Sequence, residues 1–318
     1  MSSVAGDLGS HVLAQAAQRW AAIDPLLPGP ALPAGCGTDL VAAGTGPATA
    51  VGSCEHWVGE PGSMDLTWGA ARRFRLTPQL AGPDVAGGLD QLLAAWREHL
   101  AGAPGSAEED TAAVISWPAR DIDGVKPLLR HGLAPLAVIA ARVAGRGPAG
   151  PAAPAGLRIR RAGPADLDTV TELGMATVRY DAHFGTVIER PHTAAVLRRD
   201  TAAVLAAADP WIWLAERDGT PVGLLYAERP EAAAWIAPMT GRAPAAYLEL
   251  MAVLPGQRGQ GTGAALVDEF HRTADAAGVS VTLLHYEQVN PLSGPFWSHR
   301  GYRPLWTSWE ARPARALR

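Results

Sequence analysis

LPGQRGQGTGAAL (residues 254–266) places four glycines and one arginine between a strand-like apolar run and a helical pattern. Two fingerprints overlap in it. Gly259-x-Gly261-x-x-Ala264 satisfies the dinucleotide spacing GxGxxG/A, while Arg258-x-x-Gly261-x-Gly263 satisfies a second spacing in which a basic residue leads the glycines. In both, glycines permit a tight turn that gathers successive N–H groups at a helix N-terminus, where the helix dipole favours an anion. The glycine count does not separate the two readings, but the position of the stretch in the chain does.

A dinucleotide loop opens the first strand–helix–strand unit of its sheet. Here several strand-like runs precede the loop and two follow it. The acidic residue expected about 20 positions on, to bind ribose, is misplaced. Asp275 falls inside the predicted helix, and Glu287 ends the next strand too late. No Gly-Lys-Ser/Thr is present, which excludes a P-loop.

Outward from the loop, the second half of the chain has a regular order. LRIRRA (157–162) alternates as a strand, and Pro164 and Asp166 open a periodic helix toward Tyr180. A second helix is predicted over 193–208. WIWLAERDG and TPVGLLYAER form a hairpin with Asp218-Gly219 at its turn. AYLELMAVLP (246–255) is a strand, GAALVDEFHRTADAAG (263–278) a helix ended by Gly278, and VSVTLLHYE (279–287) a strand. A helix near 291–299 and a strand near 302–310 complete a β-α-α-β-β-β-α-β-α-β order. That order predicts an α/β fold, a mixed central sheet flanked by helices.

GRGPAGPAAPAG (145–156), with four glycines and three prolines, reads as an interdomain linker. The halves it separates are related. RHGLAPL (130–136) aligns with HRGYRPL (299–305), AAVISW (112–117) with VTLLHY (281–286), and Asp121 with Asn290. A repeat of half the chain predicts two domains of one fold, 1–144 and 157–318.

Composition narrows the class. Of 318 residues, 48% are hydrophobic and 18% charged, as in a folded globular protein. A net charge of −4 with dispersed basic residues argues against nucleic acid as a partner. Two cysteines, Cys36 and Cys54, are too few for a disulfide framework, and Cys54-Glu55-His56 lacks a second metal-ligand pair. No signal peptide or apolar run of membrane-spanning length is evident, so a cytoplasmic protein is expected, without bound metal and with a homodimer left open.

Around the loop, LELMAVLPGQRGQGTGAAL followed by VTLLHYEQVNPLSGPFWSHRGYRPL resembles the GNAT superfamily of acyl-CoA-dependent N-acyltransferases. Asn290, Phe296-Trp297 and Gly301-Tyr302 meet the family pattern after the second strand. The resemblance covers about residues 155–312 and implies acetyl-CoA as acyl donor. It implies that N–H groups from Arg258 to Gly263, including Gly259 and Gly261, hold the CoA pyrophosphate. Met251 and Val253 would lie where the strand splays and bond the pantetheine arm, with Val253 N–H facing the thioester oxygen and Asn290 on the other side of the cofactor. Two base candidates follow: Glu249, on the strand face of Met251 and Val253 by alternation, and His285, whose imidazole titrates near neutral pH. The tyrosine that many relatives use as acid falls at Trp297, which has no suitable proton, leaving Tyr302, Tyr286, His299 or water. The segment RYDAHFGTVIERPH (179–192) is a candidate mouth for a cationic amine. Trp211, Trp213 and Trp235 read as core residues.

In the first half, the counterpart of the loop, LTPQLAGPDVAGGLDQLL, has no basic residue and no Arg-x-x-Gly-x-Gly. It predicts a degenerate GNAT-like domain without a CoA loop. The expected activity is N-acetylation of a primary amine on a small molecule or peptide. A tandem enzyme of the mycothiol-synthase kind and a CoA-binding module with little catalysis stay open as alternatives.

Overall fold

The computed structural model describes residues 2–32, 38–43, 49–146 and 154–318, with side chains from residue 10 onward. Cys36 and most of the linker, 147–153, lie outside the described residues. Two compact units form, and neither is a continuous half of the chain. Unit 1 takes Met1–Gly59, Ala70–Val138 and Pro304–Arg318, and unit 2 takes Glu60–Gly69 and Ile139–Arg303. These bounds differ from the division at 1–144 and 157–318 because each unit draws strands or loops from both halves.

Unit 1 contains α1 (Ser2–Ile23), β1 (Thr38–Ala43), β2 (Thr49–Val58), β3 (Arg72–Ala81), α2 (Val85–Ala101), β4 (Thr111–Pro118) and α3 (Val125–Arg130). The first part of β5 (Ala134–Val143) also belongs to it. Its strands run β1-β2-β3-β4, antiparallel except for the parallel pair β3/β4 that flanks α2. Beside β4 lies the strand closest to the C-terminus, β11 (Arg303–Ala311), antiparallel in the register Trp306↔Pro118 to Ala311↔Ala113. The apolar side chains of this strand explain its place. Trp309 and Ala311 enter the same core as Leu89, Leu92, Trp96 and Ile115, so β11 buries surface there that water would otherwise meet.

Unit 2 contains the rest of β5, then β6 (Leu157–Arg161), α4 (Leu167–Asp181), α5 (Thr193–Leu205), β7 (Ile212–Arg217) and β8 (Thr220–Glu228). It continues with β9 (Ala245–Val253), α6 (Thr262–Ala276), β10 (Val281–Glu287) and α7 (Ser293–His299). Strand order is β5-β10-β9-β8-β7-β6, with β9/β10 parallel around α6 and the β6–β9 ladders antiparallel. The repeat seen in sequence is thus repeated in topology: β1-β2-β3-α2-β4 and β7-β8-β9-α6-β10 have the same pairing, each followed by a further strand.

Local signals explain the element ends. Asp218 (φ 51°) and Gly219 (φ 77°) are left-handed, as a two-residue hairpin between right-twisting strands requires. Asp166 accepts from Gly163 N–H at 2.8 Å and from the Arg160 guanidinium, which fixes the start of α4. One face of the sheet packs Ile212, Leu214, Leu224 and Leu250 under α4 and α5. On the other, Trp213 meets Phe270 of α6 edge-on at 6.0 Å. Among the described residues no helix is long and apolar enough to cross a membrane.

Candidate functional site

Strand β9 is irregular where its chemistry lies. It pairs with β8 from Gly223↔Val253 to Tyr226↔Leu250, then continues as Ala227↔Leu248 and Glu228↔Tyr247. Glu249 is left over, a β-bulge that breaks the period-2 alternation. The face assigned to it from sequence is therefore corrected. Val253, and with it Met251, turns to the α6 side, where Val253 Cγ2 lies 3.6 Å from a Cβ placed on Gly263. Glu249 instead joins the side of Leu250, Tyr226 and Glu228, close enough to Glu228 and to Asp200 of α5 for their charges to act on it.

The parallel ladder to β10 begins at Ala245↔Val281 and ends at Leu248↔Leu284, although both strands continue. Beyond it the strands part. Leu254 N–H bonds Val222 O, so alternation turns the N–H and C=O of Val253 and Met251 away from β8 and toward the gap. Their carbonyls are engaged, Met251 O by Thr177 Oγ1 at 3.3 Å and Val253 O by Arg258 Nε at 3.0 Å. Their N–H groups face the splay.

The glycine loop follows directly. Gly259 (φ 73°) and Gly261 (φ 80°) are left-handed, and α6 starts after Gly261 with no side-chain cap. Ala265 N–H is the first to bond, to Gly261 O, so those of Thr262, Gly263 and Ala264 have no acceptor within the helix. Arg258 departs from the expectation. Its N–H bonds Pro255 O, and its guanidinium folds back over the Tyr180 ring, 4.9 Å from the centroid. It shapes the turn and does not extend the row of free N–H groups.

The matching turn in unit 1 is built in the opposite way. Only Gly82, Pro83 and Asp84 separate β3 from α2, and the Asp84 carboxylate accepts from Gly87 N–H at 2.8 Å. A carboxylate occupies the anion position at that helix start.

Glu249, beside Leu250 at the bulge, is crowded by protein yet only half-buried. Burial, then Glu228 and Asp200, push its carboxyl up to about 8. Protein crowding likewise pushes His285 down to about 4, although its ring keeps substantial solvent contact, so it is neutral at neutral pH. His285 Nδ1 is hydrogen-bonded to the Tyr247 hydroxyl at 3.0 Å. Glu228, pushed up by burial, accepts from the Trp235 indole N–H at 2.7 Å.

Other sequence candidates fall elsewhere. Tyr302 is 2% exposed, and its hydroxyl is bonded to His271 Nε2 at 3.1 Å and Thr282 Oγ1 at 3.0 Å. Thr282 alternates to the face of β10 opposite His285, so Tyr302 is a core residue under α6, away from Glu249. Asn290 is 5% exposed with both amide ends engaged: Oδ1 accepts from Leu292 N–H, and Nδ2 donates to Asp181 at 3.4 Å. Its place is a structural turn beside the splay. Asp181, pushed up to about 6 by burial, ties the end of α4 to that turn. Trp211 and Trp213 are core, as read, whereas Trp235 is 56% exposed. Sequence reading missed Glu228, Asp200 and Trp235, and the one available signal was Glu228 ending an apolar strand.

The α4–α5 connection is held by a loop from the other half of the sequence. Within unit 2, Arg190 donates to Leu66 O at 2.8 Å and Gly69 O at 3.2 Å, Ile188 N–H to Thr67 O at 2.8 Å, and the Thr67 and Thr193 hydroxyls meet at 2.8 Å. Thr186 in turn donates to Glu287 at the end of β10 at 2.7 Å.

A splayed parallel pair, a bulged carboxylate strand and an uncapped glycine-led helix come together along β9 and the turn that follows it. Residues 208–304 match the family model of the acetyltransferase (GNAT) domain. Among solved structures the fold is similar to a GCN5-related N-acetyltransferase from Sphaerobacter thermophilus. That likeness has a TM-score of 0.57 at 16% identity, over 97% of this chain and 93% of that one. A GNAT-family acetyltransferase from Colwellia psychrerythraea aligns with a TM-score of 0.50 at 12% identity, over 83% and 84% of the two chains. No curated protein matches the chain by sequence.

Proposed function

We propose that the chain is an acetyl-CoA-dependent N-acetyltransferase that acetylates a primary amine of a small molecule or peptide, with one working site, in unit 2. One observation carries the reading: β9 presents Glu249 and the free N–H groups of Met251 and Val253, then runs straight into an uncapped glycine turn. The group fits this chain. The N–H groups of Thr262, Gly263 and Ala264 suit a pyrophosphate in chemistry and field, and those of Met251 and Val253 suit an extended amide-bearing arm. Bound acetyl-CoA supplies an acyl carbon activated as a thioester.

The rest falls to the protein. Val253 N–H would be the donor to the acyl oxygen, where negative charge develops. Glu249 takes the proton from the acceptor ammonium, directly or through water, and frees the amine lone pair. A carboxyl near 8 is better matched to an ammonium than an ordinary glutamate, since proton transfer is most efficient between groups of similar pKa. His285 is too weak a base for that step. Tyr302 lies in the core and residue 297 is tryptophan, which leaves Tyr286, His299 or water to protonate the departing thiolate. The tryptophan at 297 favours a second reading, a CoA-binding module with little catalysis.

Titration calorimetry with acetyl-CoA is expected to give one site per chain. Gly261→Ala is expected to weaken it about tenfold, because a Cβ there needs a left-handed backbone and approaches Pro154 at 3.0 Å. Two sites, or an unchanged affinity, would refute the assignment. Thiol release across an amine panel separates the enzyme from the binding module.

A further inference from the structure

The side of β9 that holds Glu249 carries more than a base. Trp235 follows β8 and is 56% exposed, an unusual state for an indole, yet its N–H is pinned to Glu228 at 2.7 Å. That bond fixes the ring while leaving its surface open. The Trp235 and His285 rings are parallel within 8°, their centroids 6.3 Å apart. Tyr247 stands nearly perpendicular to both, at 5.0 and 5.7 Å, with interplanar angles of 78° and 75°. The three rings form two walls and a floor. Aromatic faces are electron-rich and attract cations.

The charges around the box have the same preference. Glu228 and Asp200 act on Glu249, and burial first, then Glu249 and Glu228, push the Tyr226 and Tyr247 hydroxyls up. The arginines bordering the region are engaged, Arg199 with Asp200 at 2.8 Å and Arg229 with Asp209 at 2.7 Å. His285 stays neutral. Glu249, held near 8, is mostly protonated at neutral pH and Asp200 is paired with Arg199, so Glu228 supplies the negative charge at the box, and the reacting amine, which must become neutral, does not use it.

We propose that Trp235, Tyr247 and His285, together with Glu228, form a subsite for a second, permanently protonated nitrogen of the acceptor, so that the acceptor class is a diamine or longer polyamine. The proposal rests on the acetyltransferase reading above. One nitrogen loses its proton to Glu249 and reacts, while the other keeps its charge against the indole face and Glu228. An acceptor with a carboxylate in that place meets repulsion.

The test is acetyl transfer by the full chain to α,ω-diamines from 1,3-diaminopropane to 1,6-diaminohexane, each beside the monoamine of equal length, with 4-aminobutanoate as the anionic member. The best diamine is expected to exceed its monoamine in kcat/KM by about tenfold or more, a typical size for a cation–aromatic contact assisted by a carboxylate. 4-Aminobutanoate is expected to be slowest. Trp235→Ala and Glu228→Gln are each expected to lower the diamine-to-monoamine ratio at least threefold. Equal rates for diamines and monoamines, or a ratio that neither variant moves, overturns the subsite. If no amine is acetylated, the acetyltransferase reading fails, and calorimetry on the acetyl-CoA-loaded chain still decides the subsite. Tighter binding of the diamine than of its monoamine supports it, and equal binding or none overturns it.

Discussion

Replacing Glu249 by glutamine isolates the cost of placing a carboxyl in the bulge. The folded protein holds this group at about 8, against 4.5 for an ordinary glutamate. Below 4.5 the carboxyl is protonated whether the chain is folded or not, and its ionisation does not affect stability. As pH rises from 4.5 to 8 the unfolded chain releases the proton and the folded chain keeps it, so wild-type stability falls. Above 8 the loss is complete. At ~1.4 kcal/mol per pH unit the ceiling is ~5 kcal/mol, and the residual solvent contact of Glu249 reduces the working figure to ~2–3 kcal/mol. Glutamine has no such titration. The Glu249→Gln protein is therefore expected to gain on wild type as pH rises, by on the order of 5 °C in Tm between pH 5 and pH 9. Thermal unfolding followed by circular dichroism across that range, without any substrate, measures the gap. A Tm difference that stays constant with pH would refute the buried, charge-coupled account of Glu249. In the acetyl-transfer assay the same variant is expected to lose about 10²–10³ in kcat.

Two further outcomes follow from contacts outside the carboxylate cluster. Asp84→Ala in unit 1 removes the side-chain cap of α2 and is expected to cost ~1 kcal/mol, read by denaturant unfolding. Arg190→Ala removes the donor to Leu66 O and Gly69 O and is expected to cost about 1–3 kcal/mol, raising KM for the acceptor with little change in acetyl-CoA affinity; an unchanged acceptor KM counts against a role for that loop in shaping the cleft.

Much of the fold was legible because periodicity reports which face of an element is buried. The order of elements in 157–318, the Asp218-Gly219 turn and the start of α6 were all readable. Partners were not. The alternation in β11 says that Trp309 and Ala311 need a core, but a strand carries no record of which neighbour supplies it, so its place beside β4 was invisible. The bulge was hidden for another reason. AAYLELMAV reads as an unbroken strand, and no glycine or proline marks the extra residue, so Glu249 was assigned to the wrong face. Tyr302 lost its candidate role to Thr282 and His271, which come near it only in the folded sheet. In sequence Trp235 resembled Trp211 and Trp213, and its 56% exposure, against 2% and 1% for the other two, shows only in the folded chain.

The membership of the two units sets an order of assembly. Unit 1 begins first during synthesis, yet it includes Pro304–Arg318, and its β4 edge stays open until β11 has been made. Domains usually fold as units from the N-terminus onward, and an unpaired strand edge left waiting is prone to wrong pairings. The parallel unit β9-α6-β10 can close while that edge is still exposed. A gene split within 147–153 would give two polypeptides, neither holding all of either unit, so fold and activity would return only when both fragments are expressed together.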